Sequence, residues 1–186
     1  MKRTITAVTL TLSMIILCSA LNAHASNMKK MKDLKMIGIF LNHNEPGNRF
    51  DSQYDSDIAG GIRVGYGITD EIGAFFSFSN FKFDGRSTVS GRDTLSINCL
   101  QGNVFYKFNT PTKLHPFATV GGGYYMINDG IDDFGLNFGL GMMMDLPKWS
   151  ELATLDLSWN YHRIASRKET DSVFTELRLG LSFNFF

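Results

Sequence analysis

The chain has 186 residues with 18 basic and 18 acidic side chains, so its bulk charge offers no electrostatic case for a nucleic-acid partner. It holds two cysteines, only one of them beyond the amino-terminal segment, which excludes an internal disulfide framework in the exported chain. No zinc-type spacing and no histidine cluster is present, and nothing in the pattern calls for a cofactor.

The first residues form an export signal. Lys2 and Arg3 are basic, residues 5–17 are an apolar run, and Ala23-His24-Ala25 before Ser26 supplies the small-x-small pattern of a cleavage site. Residues 1–25 are therefore read as a cleaved signal peptide and residues 26–186 as one domain, with 16 basic against 18 acidic side chains. Leu17 before Cys18 does not suit a lipid-attachment site. Beyond this point no stretch reaches the ~18 consecutive apolar residues that a membrane helix needs, so a bilayer could be crossed only by strands.

Strand patterns then follow in order. Residues 34–42 form the first candidate, apolar on both faces. Ile58, Gly60, Ile62, Val64, Tyr66 and Ile68 alternate with Ala59, Gly61, Arg63, Gly65 and Gly67. In 72–83, Ala74, Phe76 and Phe78 share a face while Phe81 and Phe83 take the other, which predicts a bulge or a change of environment near Ser79-Asn80. In 94–108 the phase slips similarly around Cys99-Leu100. Residues 114–127 are a further candidate, and Phe134, Leu136, Phe138, Leu140, Met142 and Met144 alternate with small residues. Ala153, Leu155, Leu157, Trp159 and Tyr161 alternate with Thr154, Asp156, Ser158, Asn160 and His162, and a last alternation runs from Val173 to Phe185. This makes eight strands of an all-β, antiparallel up-and-down barrel.

The connections alternate as well. Residues 69–71, 109–113 and 147–150 are short, whereas 43–57, 84–93, 128–133 and 165–171 are on the whole longer and more polar. Outer-membrane barrels place short turns in the periplasm and longer loops outside. Tyr66, Tyr106, Trp149, Trp159 and Tyr161 fall toward strand ends, where interfacial aromatics belong.

Gly65-Tyr66-Gly67-Ile68-Thr69-Asp70-Glu71-Ile72-Gly73 resembles the first periplasmic hairpin of the small outer-membrane β-barrel family that includes the OmpA transmembrane domain and the OmpX-like proteins. His115-Pro116-Phe117-Ala118-Thr119-Val120-Gly121-Gly122-Gly123-Tyr124 resembles that family's proline-aromatic-glycine strand. The carboxyl end, with Phe183, Phe185 and Phe186, is similar to the signal read by the outer-membrane assembly machinery, although Phe186 lies one step beyond the alternating register. The resemblance implies an eight-stranded transmembrane barrel lodged in outer-membrane lipid and lipopolysaccharide, without catalytic residues, with a structural or surface-interaction role through its loops.

An interior face carrying Arg63, Lys107, Asp156, Glu176 and Arg178 would need internal partners, since an unpaired buried ion costs several kcal/mol or more (order of magnitude). A polar network filling the lumen is favoured over a conduit, because eight strands leave room for side chains and little else. Two other classes stay open. A lipid-modifying enzyme would use His162, Ser166 and Glu169, but these are spaced unlike the deacylase pattern and His162 reads as a solvated loop histidine. A lipocalin-like ligand binder would turn the apolar faces inward. The loop 42–57, with Glu45, Arg49, Asp51, Asp55 and Asp57, is the most distinctive surface candidate. The glycine clusters lie inside strand patterns and lack the following helix of a phosphate-binding loop.

The refolded mature chain in detergent micelles is expected to migrate differently on a gel before and after boiling and to fractionate with the outer membrane. A soluble periplasmic protein with no shift would reject the membrane barrel.

Overall fold

The computed structural model describes residues 30–47, 54–85, 94–128, 132–146, 153–165 and 172–185. Within them the chain forms eight strands: β1 (Lys35–Gly47), β2 (Tyr54–Gly67), β3 (Ile72–Gly85), β4 (Leu95–Lys107), β5 (Leu114–Ile127), β6 (Asp132–Asp145), β7 (Ala153–Ile164) and β8 (Ser172–Phe185). Each pairs antiparallel with its neighbour in sequence, and β8 closes on β1 from Lys35↔Phe185 to Gly47↔Val173. Closure leaves no open edge, so the wall's backbone amides find partners within the sheet.

The alternation sorts side chains between outside and lumen. Ile37, Ile39, Leu41, Ile62, Val64, Phe76, Val104, Val120, Leu136 and Leu140 stand exposed on the outer face. Asn42, Ser77, Gln101, Asn103, Asn137, Asp156, Ser158, Asn160, Glu176 and Arg178 are buried inside. This is the reverse of a ligand-carrying soluble barrel, whose apolar faces turn inward. On β8 the outward apolar run extends from Leu177 to Phe185. Its eight steps, at ~3.3 Å each, cover about 26 Å of strand, or about 20 Å along a barrel axis tilted by ~40°. With the side chains at each end this approaches the ~25 Å apolar band of an outer-membrane barrel.

Several sequence expectations change. The first strand runs over Lys35–Gly47 rather than 34–42, with only Met36 and Phe40 as its inward apolar residues. The connection expected over 43–57 is correspondingly shorter: His43, Asn44 and Glu45 belong to β1, and Asp55 and Asp57 to β2. Arg49 and Asp51 lie outside the described residues.

β3 and β4 pair without interruption from Ile72↔Tyr106 to Phe83↔Leu95, so no slip occurs at Cys99-Leu100. The irregularity expected near Ser79-Asn80 is found beside Asn80 in its pairing with β2, where the register shifts between Ser56, opposite Phe83, and Gly60, opposite Asn80. There the Ile58 amide donates to the Asp57 carboxylate at 2.6 Å. What changes along β3 and β4 is the environment. Toward the loop end Phe81, Phe83, Leu95, Ile97 and Cys99 turn inward and are buried, joined by Tyr54, Tyr125, Ile164 and Phe174 in an apolar cap. Outside them Asn80 donates to Ser96 Oγ at 3.1 Å and to Asn98 Oδ1 at 2.9 Å. Polarity has exchanged faces, as it must where the wall rises out of hydrocarbon.

The turn end has its own plug. Met31 packs with Phe105 and Phe117, supported by Met36, Phe75 and Met143. The segment carrying Met31 is pinned by Asp70 Oδ1, which accepts the amides of Met31 and Lys32 at 3.1 Å each. A Cβ at Gly67 would lie 1.8 Å from the Met31 carbonyl oxygen, so only glycine permits this approach.

A charge on the lipid-facing belt should be costly and one above it should not. Leu140→Arg is expected to lower stability by ~2–4 kcal/mol in lipid vesicles, whereas Lys82→Leu should change it by less than ~0.5 kcal/mol. Urea titration followed by tryptophan fluorescence measures both.

Candidate functional site

The polar middle of the lumen contains two separate ion-pair centres. The first is built on β8, where the inward positions 176 and 178 place a carboxylate beside a guanidinium. Arg178 Nε donates to Glu176 Oε1 at 2.9 Å and Arg178 Nη2 to Oε2 at 2.9 Å. Asn42 from β1 donates to Oε1 at 2.9 Å, and Asn160 from β7 to Oε2 at 3.2 Å. His162 Nε2 lies 3.1 Å from Oε2, and the other ring nitrogen, Nδ1, is 2.9 Å from the Tyr125 hydroxyl. Glu176 is fully buried and is thus surrounded by donors from four residues. Arg178 completes its coordination by lying over the Phe40 ring, 4.2 Å from the centroid.

The second centre bridges β2 and β7. Arg63 Nη1 donates to Asp156 Oδ1 at 3.1 Å, Nη2 to Asp156 Oδ2, and Nε to Ser182 Oγ at 3.0 Å. Gly180 makes this reach possible: a Cβ there would stand 2.6 Å from Asp156 Oδ2 and 2.8 Å from Arg63 Nη2. Below the pair a cavity of about 30 Å³, enough for a water or two, is lined by Met36, Phe75, Phe105, Phe117 and Met143 with the polar groups as its roof.

The five charges grouped from the sequence therefore do not share one network. Four form these two pairs. Lys107 is buried at the turn end of β4, where the acidic groups acting on it are Asp145, Asp70 and Glu71. Tyr66 and Tyr106 stand exposed at the turn end, and Trp159 is exposed in the loop half, where its ring and that of Tyr161 contact Phe138. Trp149, Phe186, Ser166 and Glu169 lie outside the described residues. Phe183 and Phe185 face outward on β8.

His162 is not a solvated loop histidine. It is buried, stacked on Phe174 with centroids 4.4 Å apart and edge-on to Phe81 at 5.4 Å. Its place was visible in the alternation, since it continues the inward phase of Asp156, Ser158 and Asn160; the strand continues to Ile164 and carries it inside. Tyr125, Asn42 and Ser182 are partners that sequence reasoning missed, because their roles depend on strands brought together around the barrel. The apolar cap closes over His162, which together with Glu176 and Tyr125 is buried. Among the described residues no group of three or more His, Cys, Asp or Glu side chains is placed to hold a metal ion.

Between Lys107 and His115 at the turn end and Asp133 at the loop end, the middle of the opposite wall is neutral. Ser77, Ser79, Gln101, Asn103, Thr119 and Asn137, from β3 to β6, each bury at least one polar atom that no protein group satisfies. These atoms include donors and acceptors alike, a mixture suited to internal water rather than to an ion of either sign.

A closed antiparallel barrel with an apolar outer belt, a plugged lumen and paired interior charges defines an integral membrane β-barrel. The family model described as the outer membrane protein beta-barrel domain matches residues 10–185, and the chain belongs to that family. It is thereby a protein of the bacterial outer membrane. Its fold is shared with Neisserial surface protein A (15% identity, 81% of this chain and 97% of that one, TM-score 0.63). It is shared also with OprG of Pseudomonas aeruginosa (15%, 86% and 99%, 0.60) and with Ail, the attachment invasion locus protein of Yersinia pestis (14%, 83% and 100%, 0.56). No curated protein sequence matches it.

Glu176→Leu leaves Arg178 buried without its carboxylate and is expected to destabilise the barrel by ~3–5 kcal/mol. Adding Arg178→Met should reduce the loss to about 2 kcal/mol, because the orphaned cation is gone while Asn42, Asn160 and His162 still lack their acceptor. Unfolding of both variants in micelles tests this, and a double variant no better than the single one contradicts the pairing.

Proposed function

We propose that this barrel is a non-catalytic anchor whose extracellular loops meet a partner at the cell surface. The observation that supports it is the lumen: apolar at the loop end, apolar at the turn end and filled with paired charges between. Such an interior neither conducts nor offers a reachable nucleophile and base, which leaves the loops as the functional surface. Four connections lead out of the loop end, between β1 and β2, β3 and β4, β5 and β6, and β7 and β8. Their sequences include Arg49 and Asp51, Arg86 and Arg92, and Arg167, Lys168 and Glu169.

In this reading the short turns and both chain termini face the periplasm, residues 1–25 are removed on export, and Phe183, Phe185 and Phe186 present the assembly signal. Lipopolysaccharide surrounds the loop half. Ail, which shares the fold, has been solved with the heparin analogue sucrose octasulfate, and that makes immobilised heparin a sensible first probe. The lipid-modifying alternative loses its base, since His162 is enclosed beneath the cap.

Replacing 48–53, 86–93 and 166–171 by short Gly-Ser turns should preserve the heat-dependent gel shift and abolish binding of intact cells to heparin. Equal binding by cells carrying the loop-replaced and natural proteins would reject the loop reading. Lipid A mass spectra from cells with and without the gene should show the same acyl counts, and a changed count would restore the enzyme class.

A further inference from the structure

At the turn end the outward-facing strand residues are apolar or aromatic, as at Tyr66, Ile72, Tyr106 and Phe185, with one exception among the described strands. Lys35 opens β1 on the outer face, directly opposite Tyr66 of β2 and Phe185 of β8, and one outward step below Ile37. Its ammonium group therefore sits at the lower edge of the lipid-facing wall. Lys30 and Lys32 lie just beneath, both exposed, on the segment that Asp70 pins against the β2–β3 turn.

Among the described residues none of these three lysines has an ion-pair partner. The neighbouring carboxylates are engaged elsewhere: Asp33 accepts the Tyr66 hydroxyl at 2.7 Å, and Asp70 accepts two backbone amides. In sequence, four of the mature chain's 16 basic residues fall within 29–35.

A cation facing lipid without a protein partner must reach an anion at the interface, and a long lysine stem does so by extending toward headgroup phosphate. We infer that Lys35, with Lys30 and Lys32, forms a binding site for the headgroup of an anionic phospholipid in the inner leaflet of the outer membrane. Tyr66 and Phe185 flank the stem of Lys35, and the apolar column of Ile37, Ile39 and Leu41 above it takes the acyl chains. The two lower lysines add attraction without contact to the belt. The placement in the inner leaflet rests on the orientation proposed above.

Native mass spectrometry of the refolded mature chain in micelles, offered equal amounts of phosphatidylglycerol and phosphatidylcholine, tests the site. Each lysine near an anionic headgroup is worth about fivefold in affinity. Phosphatidylglycerol should be retained over phosphatidylcholine by at least that factor, Lys35→Gln should lower its retention about fivefold, and Lys35→Arg should keep it. The triple variant Lys30→Gln, Lys32→Gln, Lys35→Gln should show no preference, with its gel shift intact. Equal retention of both lipids by the natural chain, or no effect of Lys35→Gln, overturns the site. Displacement of the lipid by millimolar glycerol phosphate would mean that a free phosphate ester suffices, and overturns a lipid site. Labelling of Lys30 in intact cells by a membrane-impermeant amine reagent would overturn the orientation, while the micelle result would still report on lipid preference.

Discussion

Everything in this structure depends on one requirement: in hydrocarbon, each backbone amide and carbonyl must be paired by the protein itself. Strands meet it only by joining the last to the first; among the described residues no helix is long and apolar enough to cross, and Phe185 pairs beside Lys35 to close the ring. Closure with eight strands then fixes the interior at a width that side chains fill. The contents of the lumen, the lipid-facing belt and the position of the loops all follow from that geometry.

A narrow interior makes charge expensive, and the protein meets the cost by local pairing. Glu176 and Arg178 are two residues apart on one strand, so the same alternation that turns one inward turns the other. Arg63 and Asp156 come from different strands and need Gly180 to leave the space between them. Elsewhere the wall is lined by amides and hydroxyls, whose unmatched polar atoms water can satisfy at small cost. The result is a column of side chains with an apolar cluster at the loop end and another at the turn end.

The exchange of polarity along β3 and β4 shows how far the bilayer reaches. Within the belt these strands carry Phe76, Phe78 and Val104 outside and Ser77, Ser79 and Asn103 inside. Nearer the loops, Asn80, Lys82, Ser96 and Asn98 stand outside while Phe81, Phe83 and Ile97 turn inward, although the register between β3 and β4 never shifts. The same strand thus serves as a membrane wall in one half and as part of a small water-soluble barrel in the other.

Strand number, antiparallel order, the apolar outer face and the inward phase of Arg63, Asp156, Glu176 and Arg178 were legible in the sequence, because a period of two is a local property of consecutive residues. At Ser79 the break in that period allowed a bulge or a change of surroundings and the structure has both, whereas at Cys99 only the surroundings change; alternation records only that faces differ and not which one meets water. Which charge joins which, the burial of His162 between Glu176 and Tyr125, and the exposure of Lys35 between Tyr66 and Phe185 were decided by tertiary structure. Each depends on residues up to 150 positions apart that become neighbours only when the barrel closes.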